Sequence, residues 1–460
     1  MAIVQPVEKT PIMGGREPSV PGADVRRAWY AYDWANSVFS TCVTSTFFGP
    51  YLTGIVKDAA DADGFVHPLG LAVRAASFYP FLTALSLILQ VLVLPWAAAL
   101  AHRLPRNRLL GAFAVFGAVA TVGLSLVSHL SYLAGGLLFV LATLALGASV
   151  VVYDTYLPEI AAPAERAAVS SRGSAAGYLG TVVVMVLSLG LLMAHEPLGL
   201  SEDTAVALCL LLAGLWWAGF TLIPVRRLPA TPVATAAVEK PGLRGFRRIV
   251  VELVRRRDQR RAALFLLAFF LYNNAILVIS SQGTTFVTEE LDVSDDMLVI
   301  GVLMVSVVAV AGTTIAGRLA GRFGAPVVLL ASLAVWVLVI GLQVTVQPGA
   351  IATLVLIGIL VGLVNGCCYA LSRAVFANLT PADRSAEYFS LFEIVNRSLG
   401  AFGVLVFGMV VQITGNYRVA IGSMAVFFAV GALLLVAVGL RVVGVGETVA
   451  AGGDRDGHAG

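Results

Sequence analysis

The chain has 460 residues, 58% of them hydrophobic and only 12% charged, with a formal net charge of +3 and a mean hydropathy of +0.90. Soluble domains carry about a quarter charged residues, so this composition excludes a water-soluble globular fold and points to an integral membrane protein. Length alone would suit about three soluble domains, a prior that the long apolar runs override.

Residues 1–27 are polar, rich in Pro and Gly, and lack the apolar core of a signal peptide. They are expected to form a cytoplasmic tail, with the first helix acting as its own insertion signal. Apolar spans are predicted near 28–56, 75–99, 109–128, 131–153, 174–194 and 204–225, and again near 262–281, 297–317, 326–346, 350–372, 387–413 and 417–440. Each is long enough to cross a bilayer as a helix. The reading is an all-α polytopic protein of twelve transmembrane helices in two six-helix halves, 28–225 and 262–441. A basic connector, 226–261, joins them, and a Gly-rich cytoplasmic tail, 442–460, is expected to be disordered.

The first span carries the most polar pattern. No charge occurs from Trp34 to Val56, yet Asp33, Asn36, Ser37, Ser40, Thr41 and Thr44 recur at helical spacing and share one face. Val38, Phe39, Val43 and Phe47 fall largely off it. A lipid-facing helix has no use for such a stripe, so it should face protein or a water-filled path. Hydroxyls that merely tie helices together and a path-lining role both fit it.

Charge then sets orientation. Basic residues concentrate in 1–27, 100–108, 154–173, 226–261, 318–325 and 441–460, whereas the opposite loops are acidic, with Asp58, Asp61, Asp63, Glu196, Glu202, Asp203, Glu289 and Glu290 among them. By the positive-inside rule both termini are cytoplasmic, and an even number of spans requires the same. The connector holds eleven Arg/Lys against three acids; topology explains this without invoking nucleic acid. Its residues 247–261 could form an amphipathic helix on the inner leaflet. Cys42, Cys209, Cys367 and Cys368 all lie in apolar spans without metal spacing, and are read as packing residues. No metal or cofactor motif occurs.

The two halves share a loop pattern. Pro163-Ala-Glu-Arg166 follows the fourth span and Pro381-Ala-Asp-Arg384 the tenth, with Gly180 and Gly400 further on. The turns 101–108 and 317–324 are likewise short and basic. Four common residues can match by chance, but their recurrence at equivalent loops of both halves favours duplication over coincidence.

Several buried polar groups are candidates for substrate or coupling roles, because an ionisable group in a membrane helix costs about 2.5–3.5 kcal/mol on insertion scales. Asp33 could serve as a proton or amine partner or as part of an inner gate. Glu393, Asn396 and Arg397 share a face in the eleventh helix, where Glu393 and Arg397 could form a local ion pair or Arg397 could bind a substrate carboxylate. Asn365, Tyr369 and Arg373 share a face of the tenth helix, beside the close-packing pair Gly362 and Gly366. Asn273 and Asn274 make the seventh helix unusually polar. Asp154 and Arg172 bracket the fourth-to-fifth loop and are read as gate partners; Arg373 and Arg322 are further gate candidates. Gly173, Gly177 and Gly180 line one face and should pack a neighbouring helix.

With twelve spans, a long central loop and basic turns between helices 2–3 and 8–9, the chain resembles the major facilitator superfamily. Gly317-x-x-x-Gly321-Arg322-x-Gly324 is similar to its loop signature, although Gly321 and, in the first half, His102 stand where aspartate is usual. Tyr32-Asp33-Trp34-Ala35-Asn36-Ser37-x-Phe39 resembles the opening of the vacuole-effluxer-like branch, which includes the yeast vacuolar amino-acid exporter and bacterial relatives. Tyr153-x-x-x-Leu157-Pro158, Gly177-Tyr178-Leu179-Gly180, Leu271-Tyr272-Asn273-Asn274, Ala370-Leu371-Ser372-Arg373, Glu387-x-Phe389 and Thr414-Gly415-x-x-Arg418 fit the same branch. Asn274 departs from it, standing where aspartate is common, and an amide carries no proton.

The resemblance implies a secondary transporter that exports amino acids or related small metabolites by alternating access, with protons as a possible coupling ion. A proton-antiport drug or metabolite exporter is an alternative. An integral membrane enzyme is an alternative of another class, although no G-x-S-x-G or H-E-x-x-H occurs, and an ATP-driven pump is disfavoured by the missing P-loop. The expected partners are a small-molecule substrate and the lipid bilayer, with the chain a monomer. With 30 Lys and Arg in all, of which only Lys9, Lys57 and Lys240 are lysine, the composition suggests a GC-rich bacterial genome and a plasma-membrane location.

Overall fold

The computed structural model describes residues 22–127, 131–231, 251, 255, 259–291, 295–381, 384–398, 401–414 and 416–438. Residues 1–21, the C-terminal tail and most of the amphipathic helix expected at 247–261 therefore lie outside the described residues, whereas residues 23–27 of the expected tail form the start of α1.

Helices dominate. The first half contains α1 (Ala23–Val38), a π-helical segment (Phe39–Phe47), α2 (Phe48–Asp58), α3 (Ala75–Ala101), α4 (Arg106–Leu124), α5 (Tyr132–Asp154), the single turn α6 (Leu157–Ile160), α7 (Arg166–Met193) and α8 (Glu202–Arg227). The second contains α9 (Arg260–Leu291), α10 (Asp295–Phe323), α11 (Ala325–Thr345), α12 (Ile351–Leu379), α13 (Ser385–Glu393), a second π segment (Ile394–Ser398), α14 (Ala401–Thr414) and α15 (Tyr417–Ala437). Ten of these helices are long and apolar enough to cross a membrane. The first span (Ala23–Asp58) and the eleventh (385–414) are each interrupted by a π segment, so neither is one continuous α-helix. Together they complete the two sets of six.

Hydropathy locates the spans but not the helix ends. The fifth span, predicted from 174, starts at Arg166, and the seventh runs on to Leu291 rather than 281. Ser131, Ser201 and Asn416 cap α5, α8 and α15 by accepting backbone N–H bonds. Gly324, at φ 88°, turns the chain between α10 and α11 in a conformation that favours glycine, and Pro326 follows in the first turn of α11. A two-residue antiparallel hairpin, β1 (Phe65–Val66) with β2 (Val73–Arg74), closes the loop after the first span; nothing in its sequence marks it.

The same packing recurs in both halves. In the first, α1 lies against α8, α3 against α5, and α4 against α5 and α8; in the second, α9 lies against α15, α10 against α12, and α11 against α12 and α15. These are equivalent pairs in helix order, as duplication requires. Between the halves, α7 packs on α10 and α12, and α13 packs on α3. Large apolar side chains such as Phe116, Val186, Leu338 and Leu433 are exposed, as expected of surfaces that meet lipid. The four cysteines are free and buried.

The first basic turn is more than a topology signal. Arg106 is fully buried. It donates to Glu159 Oε2 at 2.6 Å and to the Thr231 carbonyl at 2.7 Å, and lies 4.3 Å over the Tyr156 ring. It thus ties the 2–3 turn to the end of the fourth span and to the chain leaving α8.

Candidate functional site

The site is built around one cation. Arg373, fully buried, lies six residues before the end of α12, about 9 Å of helix rise from the face that carries the basic turns. It belongs to the second half, but its partners belong to the first. It donates to Asp154 Oδ1 at 3.2 Å and Asp33 Oδ2 at 3.3 Å. It also donates to Ser170 Oγ at 2.9 Å, the Ser170 carbonyl at 3.2 Å and Ser174 Oγ at 3.4 Å. Ser170 Oγ in turn donates to the Ala370 carbonyl at 2.8 Å, closing the contact between α7 and α12. Trp29, Tyr153 and Tyr369 place ring centroids 4.8, 5.4 and 5.4 Å from the guanidinium carbon, a cage that favours the cation further.

Local sequence explains the convergence. Trp29 and Asp33 are four residues apart and so share one face of α1. The indole donates to the Tyr153 carbonyl at 3.2 Å and stacks on that residue's ring at 4.4 Å. Opposite lie Gly173, Gly177 and Gly180, as expected: a Cβ on Gly173 would strike Asp33 and Trp29, one on Gly177 would strike Ser37, and one on Gly180 would strike the Trp34 carbonyl. Bare backbone on α7 is what lets α1 approach closely enough for Asp33 to reach Arg373.

From the Arg373 cluster a second polar run leads into the bundle. Tyr369, whose ring flanks Arg373, donates to Glu393 Oε1 at 2.8 Å. Glu393 is fully buried and is the last α-helical residue before the second π segment. Asn396 stands within 3.5 Å of both its oxygens, and Asn273 donates to the Asn396 carbonyl and Oδ1 at 3.2 Å. Asn365 is half-buried one turn from Tyr369. The side chain of Arg397, and Gly400, lie outside the described residues.

The stripe on the first span is protein-facing, but its period changes. Asp33 and Asn36 are buried, while Ser37, Ser40, Thr41 and Thr44 keep partial access. From Phe39 the helix is π-type, and Ser45 and Thr46 donate to carbonyls five residues back. A 3.6-residue period therefore holds only as far as Val38. Of the residues off the stripe, Val38, Phe39 and Val43 are fully buried within the protein, while Phe47 keeps partial access.

Other expectations resolve differently. Arg172 does not partner Asp154, which faces Arg373; instead it is exposed and lines a separate cavity with Arg26, Arg27 and Tyr30. Arg322 is exposed, with its guanidinium 5.3 Å over the adjacent Phe323 ring, and among the described residues it makes no bond to the other half. Asn274 donates to the Phe270 carbonyl and accepts from the Gly403 N–H at 2.8 Å, which makes it a packing bracket between α9 and α14. Asn36 donates to the Tyr32 carbonyl within its own helix.

Sequence reasoning missed Arg166. Its guanidinium donates to the Pro158 and Ala161 carbonyls and crosses to the other half, reaching the Ala377 carbonyl at 2.9 Å and Asn378 Oδ1 at 2.8 Å. Asn378 returns a bond to the Pro163 carbonyl. Ser170 was also missed, although it precedes Ser174 and Gly177 on one face by four and seven residues. Close by, a Cβ on Gly317 of α10 would collide with Ser171.

Two six-helix halves, joined through a buried ion network, define a polytopic transporter of the major facilitator fold. Solved structures agree on that fold. A bacterial homologue of the iron transporter ferroportin in an outward-facing state is 13% identical with a TM-score of 0.65, covering 91% of this chain and 99% of that one. The human organic anion transporter MFSD10 is 14% identical with a TM-score of 0.67, covering 90% and 99%.

The pattern described as "Vacuole effluxer Atg22 like" matches residues 23–442, and the chain belongs to that family. Relatives include the MFS-type transporter YxiO of Bacillus subtilis, 25% identical over 413 residues, 89% of this chain and 93% of that protein. Autophagy-related protein 22-1 of Penicillium rubens is 23% identical over 567 aligned positions, 96% of this chain and 95% of that protein. Membership of a transporter family sets aside the membrane-enzyme alternative.

Proposed function

We propose that this protein exports amino acids or related small zwitterions by proton-coupled alternating access, from a bacterial cytoplasm that holds both its termini. The observation that carries the reading is the buried cluster in which one guanidinium of the second half faces two carboxylates of the first, beside the Tyr369–Glu393 pair. One cation facing two acids leaves a place for a proton. Asp154 Oδ2 is buried and, among the described residues, has no hydrogen-bond partner; an orphaned acceptor is costly, and protonation turns it into a donor. A solute bearing both a carboxylate and an ammonium carries the charges needed to compete for Arg373 and for the acids. The family's description as an effluxer supports export, and the basic loops support the orientation.

The test is proton movement in proteoliposomes loaded with a pH-sensitive dye while amino acids are added one at a time. Wild type should give a solute-dependent pH change, and Glu393→Gln should abolish it while leaving solute binding measurable. A folded, inserted wild-type protein that moves no protons with any amino acid would overturn proton coupling, and absence of labelled amino-acid flux in the same vesicles would overturn the substrate class.

A further inference from the structure

At the start of α1, away from the Arg373 cluster, a cavity of about 430 Å³ is lined by Ala23, Arg26, Arg27, Tyr30 and Arg172. Three of these five side chains are guanidiniums and none is a carboxylate. Arg26 is committed to the fold, donating to the Ile160 carbonyl at 2.9 Å and to Glu165 at 2.6 Å. The other two are available. Arg27 approaches Asp24 only to 3.7 Å with both side chains more than three-quarters exposed, a contact of little worth. Arg172 is exposed and hydrogen-bonds the Tyr30 hydroxyl, which leaves most of its five N–H donors uncommitted. Gly22 gives α1 no side-chain cap, so the positive end of that helix adds to the same field.

The position narrows the occupant. Arg26 and Arg27 sit just before the apolar span that begins at Ala28, and Arg172 lies less than two turns into α7. All therefore stand at headgroup depth, on the membrane face that bears the basic turns. Planar guanidiniums in pairs match phosphate oxygens. We propose that this cavity binds a phosphate group, held between Arg27 of α1 and Arg172 of α7 with the Tyr30 hydroxyl alongside, and that its source is the headgroup of an anionic phospholipid. Bound there, the phosphate bridges the two helices that bring Asp33 and Ser170 to Arg373. The inference does not depend on which solute is carried.

The full-length protein, delipidated in detergent, would be titrated with phosphatidylglycerol and bound lipid counted by native mass spectrometry. Wild type should retain one phosphatidylglycerol more tightly than phosphatidylcholine, with affinity falling as salt rises. Arg27→Gln/Arg172→Gln should weaken it at least tenfold, Arg27→Lys/Arg172→Lys should keep most of it, and Arg322→Gln, on another exposed basic turn, should not change it. Both target arginines are largely exposed, and unchanged melting without anionic lipid would verify that the Gln variant is folded. Retention of the lipid against millimolar inorganic phosphate supports the headgroup as source; displacement by phosphate overturns the lipid assignment and leaves a soluble phosphate compound as occupant. Equal affinity of the Gln variant and wild type, or of the two lipids for wild type, overturns the site.

Discussion

Arg373 concentrates the cost and the specificity of the inter-half contact in one side chain. Removing a guanidinium from water costs several kcal/mol even after relaxation. Here two carboxylates, two acceptor atoms of Ser170 and three aromatic faces offset that cost. Breaking such a pair from one side leaves uncompensated charge and costs about 3–5 kcal/mol. Arg373→Gln, which leaves Asp33 and Asp154 facing each other, should therefore lower thermal stability in detergent by that order and abolish transport. Asp154→Asn added to it should restore part of the stability, because the double variant removes charge from both sides. A double variant no better than the sum of the two singles would show that the pair is not energetically coupled. Arg373→Lys should not rescue transport, since a point charge cannot span both carboxylates.

At the scale of elements, what the sequence makes legible is what a regular period can carry. Twelve apolar spans, and the glycine face of α7, follow from composition and helical spacing alone. The π segments do not, because nothing in Phe39–Phe47 or Ile394–Ser398 forces an extra residue into the turn; the i→i+5 bonding there emerges from tertiary packing. Partner choice was also hidden. Asp154 and Arg172 bracket one short loop, yet the partner of Asp154 lies 219 residues away on α12, because a loop's two ends need not face each other while packed helices do. The glycine face gives a sharp contrast. Gly177→Val should destabilise the protein by about 1–3 kcal/mol, the usual cost of overpacking, since its Cβ would meet Ser37 and the Asp33 carbonyl. Gly190→Ala, thirteen residues on in the same helix and exposed with open space around it, should be neutral or gain up to about 1 kcal/mol from helix propensity. Melting of the two variants side by side decides whether close approach or helix formation governs α7.

Over the whole molecule, the described contacts between the halves on the face of the basic turns include the Arg373 cluster, the Arg166–Asn378 exchange and the meeting of Ser171 with Gly317, beside the packing of α13 on α3. In the alternating-access cycle proposed above, such contacts would part and re-form, so each must be strong enough to close this face and weak enough to release it. The Arg166 contact can be weakened without placing a bare charge in the bundle, because it bonds to a carbonyl and an amide. Its two crossing bonds are together worth about 1–3 kcal/mol, which corresponds to a shift of roughly 5–150-fold between closed and open forms. Ser174, half-buried beside Arg373, reports that shift when changed to cysteine, since the four native cysteines are buried. A water-soluble maleimide applied from the basic face should label Ser174→Cys slowly, and faster by that factor when Arg166→Ala is added. An unchanged rate would mean that Arg166 only staples its own loop through Pro158 and Ala161, leaving closure to Arg373. Faster labelling with Arg373 intact would mean that closure is shared along the interface, and that the Arg166 contact opens before the buried ion pair gives way.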